Sequence, residues 1–207
     1  IVDLLAEQKI PFARIGSKQN GKGIPVSMDD EGSAYTATRY LIEHGHSRIG
    51  FIAGSPEYEL SGWRVDGWRR AMTEAGLVCD NLLAEGDFSF ASGVVAAGKL
   101  LGGAEQPTAI IASNDQMALA TLEIGRLLGL AVPQDLSLIS FDNTPLVHFT
   151  QPPLTAVDQP IAATTSKAVE LIIAAQKGEA PPATLTVVPA AMVVRGSVAS
   201  PAGAARG

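Results

Sequence analysis

The 207-residue sequence predicts an α/β fold in which parallel sheets are flanked by helices. Two patterns carry that prediction. Short apolar runs alternate along the chain with longer segments in which Ala, Leu, Val and Ile recur three and four residues apart, the signature of strands alternating with helices that bury one face. Several of the helical segments close on a Gly that is followed at once by the next strand, and Gly just past a helix end supplies the left-handed residue that terminates it. With 46% hydrophobic residues, the chain can bury a sizeable core of this kind.

The elements follow in order. "IVDLLAEQKI" reads as a helix running into "PFARI", with a strand at Phe12–Ile15. A helix at Glu31–His44 closes at Gly45 before a strand at Arg48–Ala53, and a helix at Ser61–Ala75 closes at Gly76. "EGDFSF" ends a strand at Asp87-Phe88, and a helix follows at Ser89–Leu101. A strand at Ala109–Ala112 leads into a helix at Asn114–Leu128, closed by Gly129, and then a strand at Leu136–Ser140. A strand at Thr155–Val157, a helix at Ile161–Gln176 and a strand at Met192–Val194 complete the pattern. The small residues of "ASPAGAARG", 199–207, predict a flexible tail.

Composition narrows the function. At 17% charged the chain is no disordered solvating segment, and no window reaches the 18 or more uninterrupted apolar residues of a membrane span. The net charge of −6 argues against nucleic acid binding by these residues themselves, because phosphate contacts need clustered Lys and Arg. A single cysteine, Cys79, excludes an internal disulfide and suits a reducing compartment. His44, His46 and His148 lack metal-ligand spacing, neither "DFSFASG" nor "GKGIP" is a phosphate loop, and no nucleophile elbow is present. No enzyme, metal or cofactor is expected. The chain starts at Ile1 within a structured unit, which predicts an excerpt of a longer protein.

The strand ends are polar. "RIGFIAG" stops at Gly54-Ser55-Pro56 ahead of a helix carrying Trp63-Arg64, "TAIIA" at Ser113-Asn114-Asp115, and "LSLISF" at Phe141-Asp142-Asn143. Helix capping explains any one of these singly. In a parallel sheet they share one edge, and ligands bind just beyond the carboxyl ends of such strands. Arg, Asn, Asp and the ring of Phe88 on one rim suit a neutral polyol, whose hydroxyls meet the polar groups while an aromatic face covers the C–H side.

Five stretches stand here in the order and spacing of the LacI/GalR family of bacterial regulators: "TATRYLIEHGHSRIGFIAG", "WRVDGWRRAMTEAG", "PTAIIASNDQMALATL", "GLAVPQDLSLISFDNTP" and "PPLTAVDQP". The resemblance runs from Ile10 to about Ser197. It implies a periplasmic-binding-protein-like two-lobed fold, the first lobe only partly present, and a small sugar-like effector held between the lobes. Residues 1–29 and 160–188 would be part of the N-terminal lobe, and 30–157 with 189–198 the C-terminal lobe, crossing near Asp29, Asp158 and Pro189. By the same resemblance Arg64, Phe88, Asn114, Asp142 and Gln159 contact the effector, and Gln116, Leu119 and Glu123 lie in a homodimer interface. Operator DNA would be held by an N-terminal domain absent from this chain, in the cytoplasm and without membrane contact. Three departures bear on specificity: Ser140 stands for the motif's Gly, Asn143 where many members have a second Asp, and Gly16-Ser17 where Asp-Arg is usual. A periplasmic sugar-binding protein of a transporter shares the fold and the polar rim and is the alternative.

Overall fold

In the computed structural model, which describes residues 1–17 and 21–202, strands and helices build two sheets. The elements are α1 (Val2–Glu7), β1 (Ala13–Ile15), β2 (Ile24–Met28), α2 (Asp30–Glu43), β3 (Ile49–Ala53), α3 (Glu59–Glu74), β4 (Leu83–Glu85), α4 (Phe90–Leu101), β5 (Ala109–Ala112), α5 (Asp115–Leu127), β6 (Ser137–Asp142), a 3-10 turn (Pro145–His148), β7 (Thr155–Asp158), α6 (Ile161–Gln176), β8 (Thr186–Val188) and β9 (Ala191–Val193). The larger sheet has six strands in the order β4-β3-β5-β6-β7-β9, parallel except where β9 runs antiparallel to β7. The smaller sheet is β1-β2-β8, all parallel.

Both faces of the larger sheet are covered, and alternate residues of each strand show it. Ile49, Phe51, Ala109, Ile111, Ile139 and Phe141 pack with Leu41 of α2 and Trp68 and Met72 of α3. Ile52, Ile110, Ala112 and Leu138 face the other way, onto Ala97 and Leu101 of α4 and Met117 and Ala118 of α5. Strands so enclosed read as continuous apolar runs. Trp68 is fully buried, and its indole donates to the Ile49 carbonyl at 3.1 Å. Helices α2 and α3 meet at Gly67, where a Cβ would lie 2.1 Å from the Glu31 carbonyl oxygen. A bare backbone there lets the two helices approach closely.

Strands β2 and β8 add to the sequence-based elements. Pro25 and the flanking glycines hide β2, since Pro argues against a central strand. The register resolves the conflict: pairing with β8 starts at Val26, one position after Pro25. α6 packs Ala168, Leu171 and Ile172 against Ile24 and Val26 of this sheet. The chain passes between the two sheets at Met28–Asp30, Asp158–Ile161 and Val188–Ala191.

Of the sequence-based boundaries that move, three bear on the site or the tail. The strand in "EGDFSF" ends at Glu85, so Asp87 and Phe88 lie in the following loop. β6 runs on through Asp142, making that carboxylate the last strand residue. The tail predicted flexible from 199 is tied at its first residue: Ala199 N donates to Ser137 Oγ at 3.0 Å, and the Ala199 carbonyl accepts from His46 Nε2 at 2.9 Å. That carbonyl places the His46 proton on Nε2, leaving Nδ1 to accept from Thr108 Oγ1 at 2.8 Å. Burial holds the His46 pKa below its ordinary value. Residues 203–207 of that tail lie outside the described residues. No helix among the described residues is long and apolar enough to cross a membrane.

Candidate functional site

The site forms where β3, β5 and β6 end side by side. Their parallel pairing puts Gly54, Ser113-Asn114 and Asp142 on one edge of the sheet. Arg64 approaches from α3 and is 2% exposed. Its Nε donates to Asp30 Oδ1 at 2.8 Å, its Nη1 donates to the Ser113 carbonyl, and its guanidinium lies 4.3 Å from the centroid of the Phe141 ring. Arg64 and Gly67 stand three apart on one face of α3, so the close helix approach at Gly67 also brings Arg64 within reach of Asp30 at the start of α2.

Asn114 is the N-cap of α5. Its Oδ1 accepts from Met117 N at 3.0 Å, and its Nδ2 donates to the Phe88 carbonyl at 2.8 Å. The second bond fixes the loop carrying Phe88, a non-glycine residue at φ +71°. The Phe88 ring is half-buried over Gly54, where a Cβ would sit 1.9 Å from it, and meets Tyr58 edge-on at 5.9 Å between centroids. Only a glycine at the end of β3 leaves room for that ring.

Asp142 closes the arrangement. Its φ of +91° is costly for a residue bearing a Cβ. Among the described residues its carboxylate accepts no hydrogen bond, unlike that of Asp115, which accepts from Ser140 Oγ at 2.7 Å and Thr144 N at 2.6 Å. Burial pushes the Asp142 pKa up to about 6; Arg64 pulls it down, and Asp115 and Asp30 push it further up. Burial likewise raises Asp30, with Arg64 opposing. Asp142 thus shares the Arg64 guanidinium with Asp30, and the guanidinium is already paired with Asp30. Gln159 sits beside Asp142: its backbone N donates to the Asp142 carbonyl at 3.3 Å.

The five effector candidates are thus brought together, linked in sequence by Arg64 to Ser113, Asn114 to Phe88, and Gln159 to Asp142. Capping accounts for part of Asn114 and pairing with a helix acid for part of Arg64, while the turn after Asp142 draws no cap from the Asp142 side chain. Sequence reasoning missed Asp30, which stands just before the helix predicted from Glu31, and gave Phe141 no role beyond marking a strand end. Asp29 serves as the cap of α2, accepting from Gly32 N at 2.9 Å, and Asp30 turns to Arg64 instead. The dimer candidates stand apart, on the outer face of α5. Gln116 is exposed, Leu119 is half-buried, and Glu123 is paired with Arg126 at 2.7 Å.

Similar proteins fit this geometry. The sequence model of the periplasmic binding protein-like domain matches residues 38–198. Catabolite control protein A of Priestia megaterium is 40% identical over 163 residues, covering 77% of this chain and 49% of that protein. The HTH-type transcriptional repressor CytR of Escherichia coli is 37% identical over 173 residues, covering 83% of this chain and 51% of the repressor. The chain spans about half the length of these relatives. Among solved structures, a LacI-family regulatory protein from Chloroflexus aggregans superposes with a TM-score of 0.88 at 31% identity, covering 95% of this chain and 72% of that one. The transcriptional regulator CelR in its cellobiose complex superposes with a TM-score of 0.86 at 32% identity, covering 94% and 61%. The chain therefore belongs to the periplasmic-binding-protein-like domain family, in the form carried by LacI-type transcriptional regulators.

Proposed function

We propose that this chain is the effector-sensing part of a DNA-binding transcriptional regulator, and that its effector is a neutral, polyhydroxylated molecule such as a sugar. The observation that carries this is the rim at the ends of β3, β5 and β6, where Arg64, Asn114, Asp142 and the Phe88 ring converge beside the chain crossings. Asp142 brings an uncommitted acceptor, Arg64 retains N–H donors on its terminal nitrogens, and Phe88 and Tyr58 offer ring faces. A charge-assisted hydrogen bond contributes roughly 1.5–3 kcal/mol, so three or four of them, less the cost of ordering the ligand, lead to affinities of about micromolar to millimolar. An anion would meet a guanidinium already neutralised by Asp30 and a second, raised carboxylate.

The effector acts by population shift. It moves the equilibrium between two arrangements of the parts joined by the crossings only by as much as it prefers one of them. Residues 1–29 and 160–188 form part of one lobe and 30–157 with 189–198 the other, and a DNA-binding domain outside this chain reads the operator. The chain pairs with a second copy through the α5 face bearing Gln116, Leu119 and Glu123, as two half-sites on DNA require. Such a regulator works in the cytoplasm. The relatives named above are regulators, which supports this reading over a transport protein.

The test is a gel shift of the full-length gene product on its own upstream DNA, with cellobiose, D-ribose and D-glucose and with inorganic phosphate as the anionic control. A specific shift altered by one sugar and not by phosphate supports the proposal. No shift under any condition, with sugar binding still seen by calorimetry, overturns it in favour of the transport protein.

A further inference from the structure

Asn143, the residue after Asp142, has a use that capping and folding do not account for. Its φ is +62°, so two consecutive non-glycine residues hold positive φ at the tip of β6. Its side-chain amide is spent on two partners of opposite charge. Nδ2 donates to Asp158 Oδ1 at 2.6 Å, and Oδ1 accepts from Arg195 Nη2 at 2.7 Å. Asp158 is the last residue of β7, where the chain leaves the larger sheet for α6, which covers the smaller one. Arg195 lies two residues past β9, the strand that has just returned from the smaller sheet. It is itself held by the Leu154 carbonyl at 2.5 Å, by Thr155 Oγ1, which accepts from its backbone N at 3.0 Å, and by His148 Nε2 at 2.8 Å. One amide thus joins the tip that carries Asp142 to the start of the outgoing crossing and to the segment that follows the returning strand β9. The third crossing is tied to the site in its own way, through Arg64 and Asp30.

We propose that Asn143 is a positioning residue that locks Asp142 to the crossing that leaves at Asp158 and, through Arg195, to the segment just past β9, so that a ligand pulling on Asp142 pulls on both. This rests on the reading of Asp142 as an effector contact. The residue type follows from the geometry. An amide donates to a carboxylate through its nitrogen and accepts from a guanidinium through its oxygen. A carboxylate at 143 would keep the Arg195 contact and set two acceptors against each other at Asp158. An apolar side chain would lose both bonds.

The experiment is amide hydrogen exchange on the chain without ligand, comparing Asn143→Asp with the double variant Asn143→Asp/Asp158→Asn. The probe is the Gln159 N–H bonded to the Asp142 carbonyl, and the β5 amides of Ile110 and Ile111 serve as the internal reference for an intact fold. In the single variant, Gln159 exchange speeds up about tenfold or more, the scale of a lost charge-assisted bond, while the reference amides keep their wild-type rates. In the double variant the donor and acceptor trade places. The amide now at position 158 donates to the carboxylate now at position 143, that carboxylate still accepts from Arg195, and protection at Gln159 returns. The same pattern should hold for the sugar that shifts the full-length protein in the gel assay, its affinity falling in the single variant and recovering in the double. Wild-type exchange at Gln159 in Asn143→Asp, or no recovery in the swap while Ile110 and Ile111 stay protected, overturns the proposal. The exchange readout needs no ligand, so a failure of the effector reading, no sugar altering the shift, is seen separately.

Discussion

Replacing Asp142 by Asn should make the chain more stable at neutral pH, although Asp142 is central to the proposed site. The folded structure holds this carboxyl at about 6 against an ordinary 3.8, because burial disfavours its charge more than Arg64 favours it. The two values lie roughly two pH decades apart, and each decade is worth about 1.4 kcal/mol, which gives about 3 kcal/mol. A group raised in this way imposes no penalty below about pH 3.8, a growing one as pH rises toward 6, and the full one above. The neutral amide removes the penalty and tolerates the positive φ of this position, since Asn enters the left-handed region more readily than most residues. The assay is urea unfolding of wild type and Asp142→Asn at pH 4, 6 and 7.5. Taking the difference cancels titrating groups remote from Asp142. It should be near zero at pH 4 and approach about 3 kcal/mol in favour of the variant at pH 7.5, or on the order of 10 °C in Tm for a chain of this size. The sugar response of the full-length protein should weaken in the same variant. A stability difference that does not change between pH 4 and 7.5 would refute the reasoning, because it would mean that Asp142 is no harder to ionise in the folded chain than in the unfolded one.

Three other perturbations follow from the packing. Gly67→Ala puts a methyl 2.1 Å from the Glu31 carbonyl oxygen and should force α2 and α3 apart, costing about 1–3 kcal/mol or more by calorimetry. Arg64→Met leaves Asp30 buried without its partner and should cost about 3–5 kcal/mol in urea; adding Asp30→Asn should recover much of that, and a simple sum of the two single effects would count against the pairing. Asn114→Ala removes both the α5 cap and the hold on Phe88, and should cost about 1–2 kcal/mol while loosening the Tyr58–Phe88 contact seen in aromatic NMR shifts.

The larger sheet was readable because its strands are buried on both sides and its helices close on glycines, so "IGFIA", "AIIA" and "SLISF" announce themselves. The smaller sheet was not. β2 contains a proline that only its register makes tolerable, and β8 is three residues long beside Pro189. At the site, Arg64, Asn114 and Asp142 were legible as polar residues at helix starts and strand ends. Asp30 was not, because its partner is 34 positions away and meets it only through the α2–α3 approach at Gly67. The tie from Asn143 to Asp158 and Arg195 was equally hidden. Adjacency across β6, β7 and the returning strand is a property of the sheet order, and no local pattern reports it.

The order of the strands also bears on how the molecule is made. β2 ends at Met28 and its partner β8 begins at Thr186, so the smaller sheet joins the two ends of the described chain. During synthesis β3 to β6 can pair as they emerge, while the far edge of β2 must wait for almost all the remaining residues before β8 arrives. The edge of β7 stays open as long, since β9 is later still. Such a long loop closure comes late and is slow. A nascent chain stalled before residue 186 would present a larger sheet with its β7 edge uncapped and a β2 without its β8 partner, a shape more prone to meet another copy of itself than the finished chain.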